Sequence, residues 1–308
     1  RIGLTSSSGD QPELIPIKKW FPLLGMTVDK YVKCYAHTMP EIRDYNFKIS
    51  YRNVEYSNQI HKIKHPFVRE CLLSNYPAIK SLNISCLSSL PSGLGMGSSG
   101  SFAVAFTDLI ARLEKDQKLS SYDLFISAYN SEKRISNEIG FQDHLHAAYG
   151  GFNLYEIKFN SESDVKFFRP EVRIRPLRLN KTSENKINES FALLYIPSNT
   201  IKGRNGKVGI NIRKEMWDEK QLDEKYEKLT QIINLMESKE INFEKVGCLI
   251  TNDAKNTKFS NGFSEVSKTL SKLKSKELIF GGRPLGSIGS KFALVVSNKK
   301  NFLELRDN

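Results

Sequence analysis

The stretch Pro91-Ser92-Gly93-Leu94-Gly95-Met96-Gly97-Ser98-Ser99-Gly100-Ser101 runs straight into Phe102-Ala103-Val104-Ala105-Phe106. Four glycines and two adjacent serines thus give way at once to helical spacing. Glycine lacks a Cβ and admits a ligand close to the main chain. The first turn of the following helix offers unpaired N–H donors at the positive end of its dipole. On residues alone two readings stand. One is a phosphate cradle, with Ser98 and Ser99 available to cap the helix, bind phosphate or complete a Mg²⁺ shell. The other is a flexible glycine–serine turn that caps an ordinary helix. No lysine follows the glycines, so the loop is not the G-x-x-x-x-G-K-[ST] pattern.

The 308 residues leave room for two domains, at roughly 100–200 residues each. The composition, 39% apolar and 26% charged, is that of a globular protein. No apolar run approaches the roughly 20 residues that span a bilayer, and no signal-peptide pattern opens the chain. A cytoplasmic enzyme is the expectation, with neither membrane nor nucleic acid as partner. The first residue is Arg1, already in an apolar segment, which suggests that a short native N-terminus is missing. Cys34, Cys71, Cys86 and Cys248 show no C-x-x-C spacing and read as buried thiols. His144 and His146 make an H-x-H pair, poor evidence for a metal. The net charge of +12 comes from lysines spread along the chain. Lys186, Lys225, Lys228, Lys239 and Lys245, interspersed with glutamates, read as a solvated basic surface. Neither a concentrated basic run nor an aromatic stacking surface is evident.

Periodicity predicts strands at residues 1–4, 25–36, 47–53, 79–87, 152–159, 191–196 and 292–296. Helices are predicted at residues 65–75, from Phe102 to beyond Leu113, from Ser120 or Ser121 to about Ile135, at about 218–238 and at about 263–273. Residues 137–144 read as a connection, and 160–164 and 180–189 as polar loops. The second of these loops sets the domain boundary, giving residues 1–183 and 184–308. The order of strands, loop, helices and strand gives an α+β fold rather than regular βαβ repetition.

Several segments together resemble one family, the GHMP kinases, a superfamily that includes galactokinase, homoserine kinase, mevalonate kinase and phosphomevalonate kinase. The likeness is greatest to its D-glycero-D-manno-heptose 7-phosphate kinase branch, whose P-x-G-S-G-L-G-S-S-S-A-F lies over Pro91 to Phe102 without a gap. Arg1 to Pro12 is similar to R-I-S-F-A-G-G-G-T-D-L-P, Thr27 to Tyr31 to T-I-D-K-Y, and His65 to Glu70 to H-x-x-V-R-E. Ala128 to Glu132 is similar to A-Y-x-I-E, and Gly140 to Phe152 to G-K-Q-D-Q-Y-A-A-A-Y-G-G-F. Leu285 to Phe292 has the placement of L-G-A-G-G-G-G-F. Matches are dense to about residue 157 and sparse between 160 and 280.

The resemblance implies a ribosomal protein S5 domain 2-like N-terminal domain and a ferredoxin-like C-terminal domain, with ATP and a sugar or sugar-phosphate meeting in the cleft between them. It implies that Asp143 accepts or orients the proton of the acceptor hydroxyl, with Arg1 beside it neutralising the moving phosphoryl group. Pro91, Gly93, Gly95, Met96, Gly97, Ser98, Ser99, Gly100 and Ser101 would hold the nucleotide. Ser99 and Glu132 would hold Mg²⁺. Asp10, with Ser8, Gly9 and Gly289, would contact the sugar. Two motifs depart from the pattern: Ser6-Ser7-Ser8-Gly9 replaces a glycine run, and Gly286-Ser287-Ile288-Gly289-Ser290-Lys291 replaces another. Those departures leave an alternative, a weak or inactive member that binds nucleotide or sugar. The sugar's identity is open, and so is the oligomeric state, a homodimer among the options.

Overall fold

The computed structural model describes residues 2–4, 9–39, 44–89, 96–137, 139–196, 215–255, 264–286 and 292–307. Among them the strands are β1 Ile2–Gly3, β2 Phe21–Met26, β3 Val32–His37, β4 Phe47–Ser50, β5 Val54–Ser57, β6 Leu82–Ser88, β7 Phe152–Lys158, β8 Glu171–Pro176, β9 Phe191–Tyr195, β10 Gly281–Pro284 and β11 Phe292–Val296. The helices are α1 Pro66–Asn75, α2 Ser98–Lys115, α3 Ser121–Lys133, α4 Gln142–Tyr149, α5 Glu162–Phe167, α6 Lys181–Ser190, α7 Glu219–Met236, α8 Phe243–Lys255, α9 Ser264–Ser275 and α10 Lys299–Asp307. The chain gathers into two units that interleave in sequence. Arg1–Thr27, Gly93–Met96 and Gly151–Asn308 form one, and Val28–Ser92 with Gly97–Gly150 the other.

The unit that holds α2 is built on a four-stranded sheet in the order β3-β6-β4-β5. Only the β4–β6 pair is parallel. Strict alternation turns Phe47, Ile49, Leu82 and Ile84 inward, where they pack with Phe67, Val68 and Leu72 of α1 and Ala103, Phe106 and Ile110 of α2. The four-residue spacing of Phe102, Phe106 and Ile110 is what commits residues 98–115 to a helix with one buried stripe. Phe102 stacks on Phe106 at 5.7 Å between ring centroids, and Phe67 meets both edge-on. Each such aromatic contributes roughly 1.5–3 kcal/mol by burial.

The other unit carries the antiparallel sheets β1-β2-β7-β8 and β10-β11-β9. Phe21 to Gly25 is buried without alternation, as expected of a strand covered on both faces, and α7 packs on it. The α7 N-terminus is fixed by a capping box in which Asp218 accepts from the Gln221 N–H and Gln221 accepts from the Asp218 N–H.

Three sequence expectations are corrected. Residues 25–36 do not form one strand: β2 ends where the Thr27 N–H donates to the Gly151 carbonyl, and β3 begins with Val32 opposite Ser88 in another sheet. The polar stretches 160–164 and 180–189 are not loops, because Ser161 and Asn180 cap α5 and α6 by accepting from the backbone N–H three residues on. In α6 Ile187 is the single large apolar side chain that is buried, too sparse a stripe to register as periodicity. The connection read at 137–144 already contains the start of α4. The four cysteines are free thiols, and of them only Cys71 is fully buried. Among the described residues no helix is long and apolar enough to cross a membrane.

Candidate active site

Gly97 is the hinge on which α2 starts. Its φ of 69° is left-handed, a region that favours glycine, and it places Ser98, Ser99 and Gly100 in the first helical turn. The helix α3 is set by Ser120, whose hydroxyl accepts from the Asp123 N–H at 3.1 Å, and it carries Glu132 to its C-terminal end. There the Ser99 hydroxyl donates to the Glu132 carboxylate. The other Glu132 oxygen lies 2.6 Å from Nε2 of His144, a side chain only 2% exposed. Tyr129 meets the His144 ring edge-on at 5.5 Å.

His144 follows Asp143 in the first turn of α4, so the helix that holds Glu132 in place also presents Asp143. A carboxylate there sits favourably at the positive end of the helix dipole. The first turns of α2 and α4 touch through their backbones. A Cβ built on Gly100 would lie 2.7 Å from the Asp143 Cβ, 2.9 Å from its carbonyl carbon and 3.0 Å from the His144 nitrogen. Ser99, Gly100, Glu132 and Asp143, which span 45 positions of sequence, are therefore one cluster at two converging helix N-termini. The donors at Ser99 and Glu132 are hard oxygens, suited to Mg²⁺ shared with phosphate oxygens and water. Among the described residues no group of three or more His, Cys, Asp or Glu could hold a metal ion by itself. Of the other residues expected from sequence to hold the nucleotide, Met96 is buried, Ser98 opens α2, and Ser101 donates its N–H to the Gly97 carbonyl at 3.0 Å.

Gly9 and Asp10 lie in the other unit, and both are buried. The indole N–H of Trp217 donates to the Gly9 carbonyl at 3.0 Å, and the Trp217 backbone N–H donates to the Leu14 carbonyl at 2.9 Å. Lys225 of α7, read from sequence as a solvated lysine, is instead 5% exposed. Its ammonium lies 5.1 Å from the Phe21 ring centroid and 5.3 Å from that of Trp217. Burial pushes Lys225 down to about 8, opposed by the negative charges of Asp253 and Asp10 and reinforced by Arg283. Sequence reasoning missed Trp217, Lys225, Asp253, Arg283 and His144. One signal was present, since Lys225 falls on the stripe of Leu222, Leu229, Ile232 and Met236 that α7 buries. Arg1, Ser8, Pro91, Gly93, Gly95 and Gly289 lie outside the described residues, as do the altered segments 5–8 and 287–291.

Residues 61–151 match the family described as GHMP kinases N terminal domain. No curated protein matches the chain in sequence. A D-glycero-D-manno-heptose 1-phosphate kinase from Bacteroides thetaiotaomicron is similar in structure, with a TM-score of 0.66 at 15% identity over 99% of this chain and 88% of that one. The mevalonate kinase of Methanococcus jannaschii gives 0.66 at 17% identity over 99% and 91%. A structure described as MDDEF in complex with MVAPP, AMPPCP and magnesium gives 0.59 at 17% over 99% and 89%. Residues 61–151 thus match the GHMP kinase N-terminal domain, and the chain as a whole shares the fold of these kinase structures, with the α+β architecture that the sequence motifs implied.

Proposed function

We propose that this protein transfers the γ-phosphoryl group of ATP to a hydroxyl of a sugar or sugar-phosphate, the anomeric hydroxyl being the favoured position. The observation that carries the reading is the cluster of Ser99, Glu132 and Asp143 at the abutting N-termini of α2 and α4. In this reading the N–H groups of the first α2 turn bind phosphate oxygens. Asp143 orients the acceptor hydroxyl and takes its proton as the oxygen–phosphorus bond forms and ADP leaves. Ser99 and Glu132 would hold Mg²⁺, and His144, 2.6 Å from Glu132, fixes the carboxylate. Bound Mg²⁺ supplies neutralisation of the charge on the transferred phosphoryl group. Asp10, buried next to Gly9, whose carbonyl accepts from Trp217, is the candidate contact for sugar hydroxyls. Support comes from the motif order, from the sugar-phosphate kinase among the structural neighbours, and from the neighbour solved with AMPPCP and magnesium.

The test is ADP release by the full chain with ATP, Mg²⁺ and a panel of heptoses, hexoses and their phosphates. Sugar-dependent turnover is expected, and Asp143→Asn lowers kcat by about 10²–10⁴-fold with an unchanged melting temperature. Turnover by this variant at the wild-type rate removes Asp143 from the role.

A further inference from the structure

The sheet β3-β6-β4-β5 has a second face, which the kinase reading does not use. Its inward positions fill the core, so alternation turns Lys33, Tyr35 and His37 of β3 outward. The register sets Lys33 opposite Leu87 and Tyr35 opposite Ser85. On the far side Lys48 of β4 stands opposite Tyr56 of β5. Tyr35 is 53% exposed, Tyr56 57% and Leu87 62%. Tyr45 meets Tyr56 edge-on at 4.6 Å, holding that ring in place. His37 is paired across the strands with Asn83 at 3.3 Å. The single acidic residue in these four strands, Glu55, is buried and accepts from the Lys64 and His65 backbone N–H groups. Among the described residues of these strands the outward face is therefore aromatic and basic with no acidic side chain, on a chain whose net charge is +12.

We infer that this face binds a short run of single-stranded nucleic acid, its bases stacked on Tyr35 and Tyr56 and its phosphates met by Lys33 and Lys48. Rings that stand on an open surface accept any base, while lysines between them follow the backbone. Three strand spacings of about 4.8 Å put β3 and β5 roughly 14 Å apart, room for two or three nucleotides. A second copy of the chain fits less well, because pairing two such faces would set lysine against lysine. An anionic lipid surface would also meet the lysines, but among the described residues Val54 and Leu87 are the only large aliphatic side chains these strands turn to the face. The sequence concealed the surface because its residues come from four strands, alternating with core positions.

The experiment is fluorescence anisotropy of the full chain with a labelled short oligo(U), beside a labelled duplex and vesicles containing phosphatidylserine. Saturable binding to oligo(U) is expected, weakening about sevenfold between about 50 and 200 mM salt if two phosphates are neutralised. Tyr35→Thr and Tyr56→Thr, which keep β propensity but remove the ring, are each expected to weaken binding at least about fivefold. Tyr195→Ala, at a tyrosine 49% exposed in the other unit, is expected to leave it unchanged. Circular dichroism confirms that each variant is folded. The inference is overturned if oligo(U) does not bind or the duplex binds as tightly. It is equally overturned if Tyr195→Ala weakens binding as much as the ring deletions, if only vesicles bind, or if the tyrosines instead control self-association. Kinase turnover is not part of the readout, so the two proposals fail separately.

Discussion

Gly100→Ala tests the contact on which the candidate site depends. In a helical turn with free space, replacing glycine by alanine stabilises by up to about 1 kcal/mol, since alanine restricts the unfolded chain and has the better helix propensity. Here the added Cβ would lie 2.7 Å from the Asp143 Cβ, so α4 would have to move about 0.7 Å to restore an ordinary 3.4 Å contact. Two of the three nearest atoms belong to the α4 backbone, so no rotamer change relieves the clash. Overpacking of this kind costs about 1–3 kcal/mol, which reverses the sign expected from propensity. A displacement approaching 1 Å at a positioned catalytic group can cost about 10²-fold in rate. Urea unfolding followed by circular dichroism, with turnover measured on the same preparation, reads both effects. We expect a lower midpoint and kcat reduced by one to two orders of magnitude, with the ATP KM changed less. A raised midpoint with wild-type turnover would refute the close approach and the cluster built on it.

Glu132→Gln keeps a partner for Ser99 but removes the charge facing His144. It is expected to raise the Mg²⁺ concentration needed for half-maximal turnover at least about tenfold, as with loss of a coordinating carboxylate, with ATP binding in the absence of Mg²⁺ nearly unchanged. Trp217→Phe deletes the hydrogen bond to Gly9 and keeps most of the ring, so it should raise the acceptor KM about fivefold, the equivalent of about 1 kcal/mol, and leave the ATP KM alone. Lys225 makes a pH prediction. Its pKa falls from 10.5 to about 8 on burial, so between those values the unfolded chain binds more protons than the native one and stability rises with pH. Relative to Lys225→Met, which lacks the group, the wild type should gain on the order of 3 kcal/mol between pH 7 and 10.5, measured as the difference in urea unfolding free energy. A pH-independent difference would show that the ammonium is not buried in solution.

The α2 helix was legible because its buried stripe is dense, with Phe102, Phe106 and Ile110 at regular spacing. α6 was not, because its stability rests on the Asn180 cap and one buried isoleucine, features that composition hides among polar residues. For the site, motif order pointed to Ser99, Glu132 and Asp143, but nothing local to any of them reveals that α4 supplies both Asp143 and the histidine that holds Glu132. Lys225 illustrates the opposite error, since its charge suggested solvent while its place on the α7 stripe dictated burial.

The glycine loop itself is where the structure revises the chemistry most. Read alone, every glycine in it is permission for a ligand to approach the backbone. Gly97 fits that description in part, as its positive φ lets the helix begin where it does. Gly100 does not: the atoms that occupy the space of its missing Cβ belong to Asp143 and His144, not to open solvent. Its small size is therefore spent on bringing a second helix N-terminus against the first. Two helix N-termini and a carboxylate then share one small volume, an arrangement that a glycine–serine flexible turn would have no reason to adopt. The alternative of a plain capping turn makes Gly100 replaceable, whereas the phosphoryl-transfer reading makes it the residue that sets the distance between nucleotide and base.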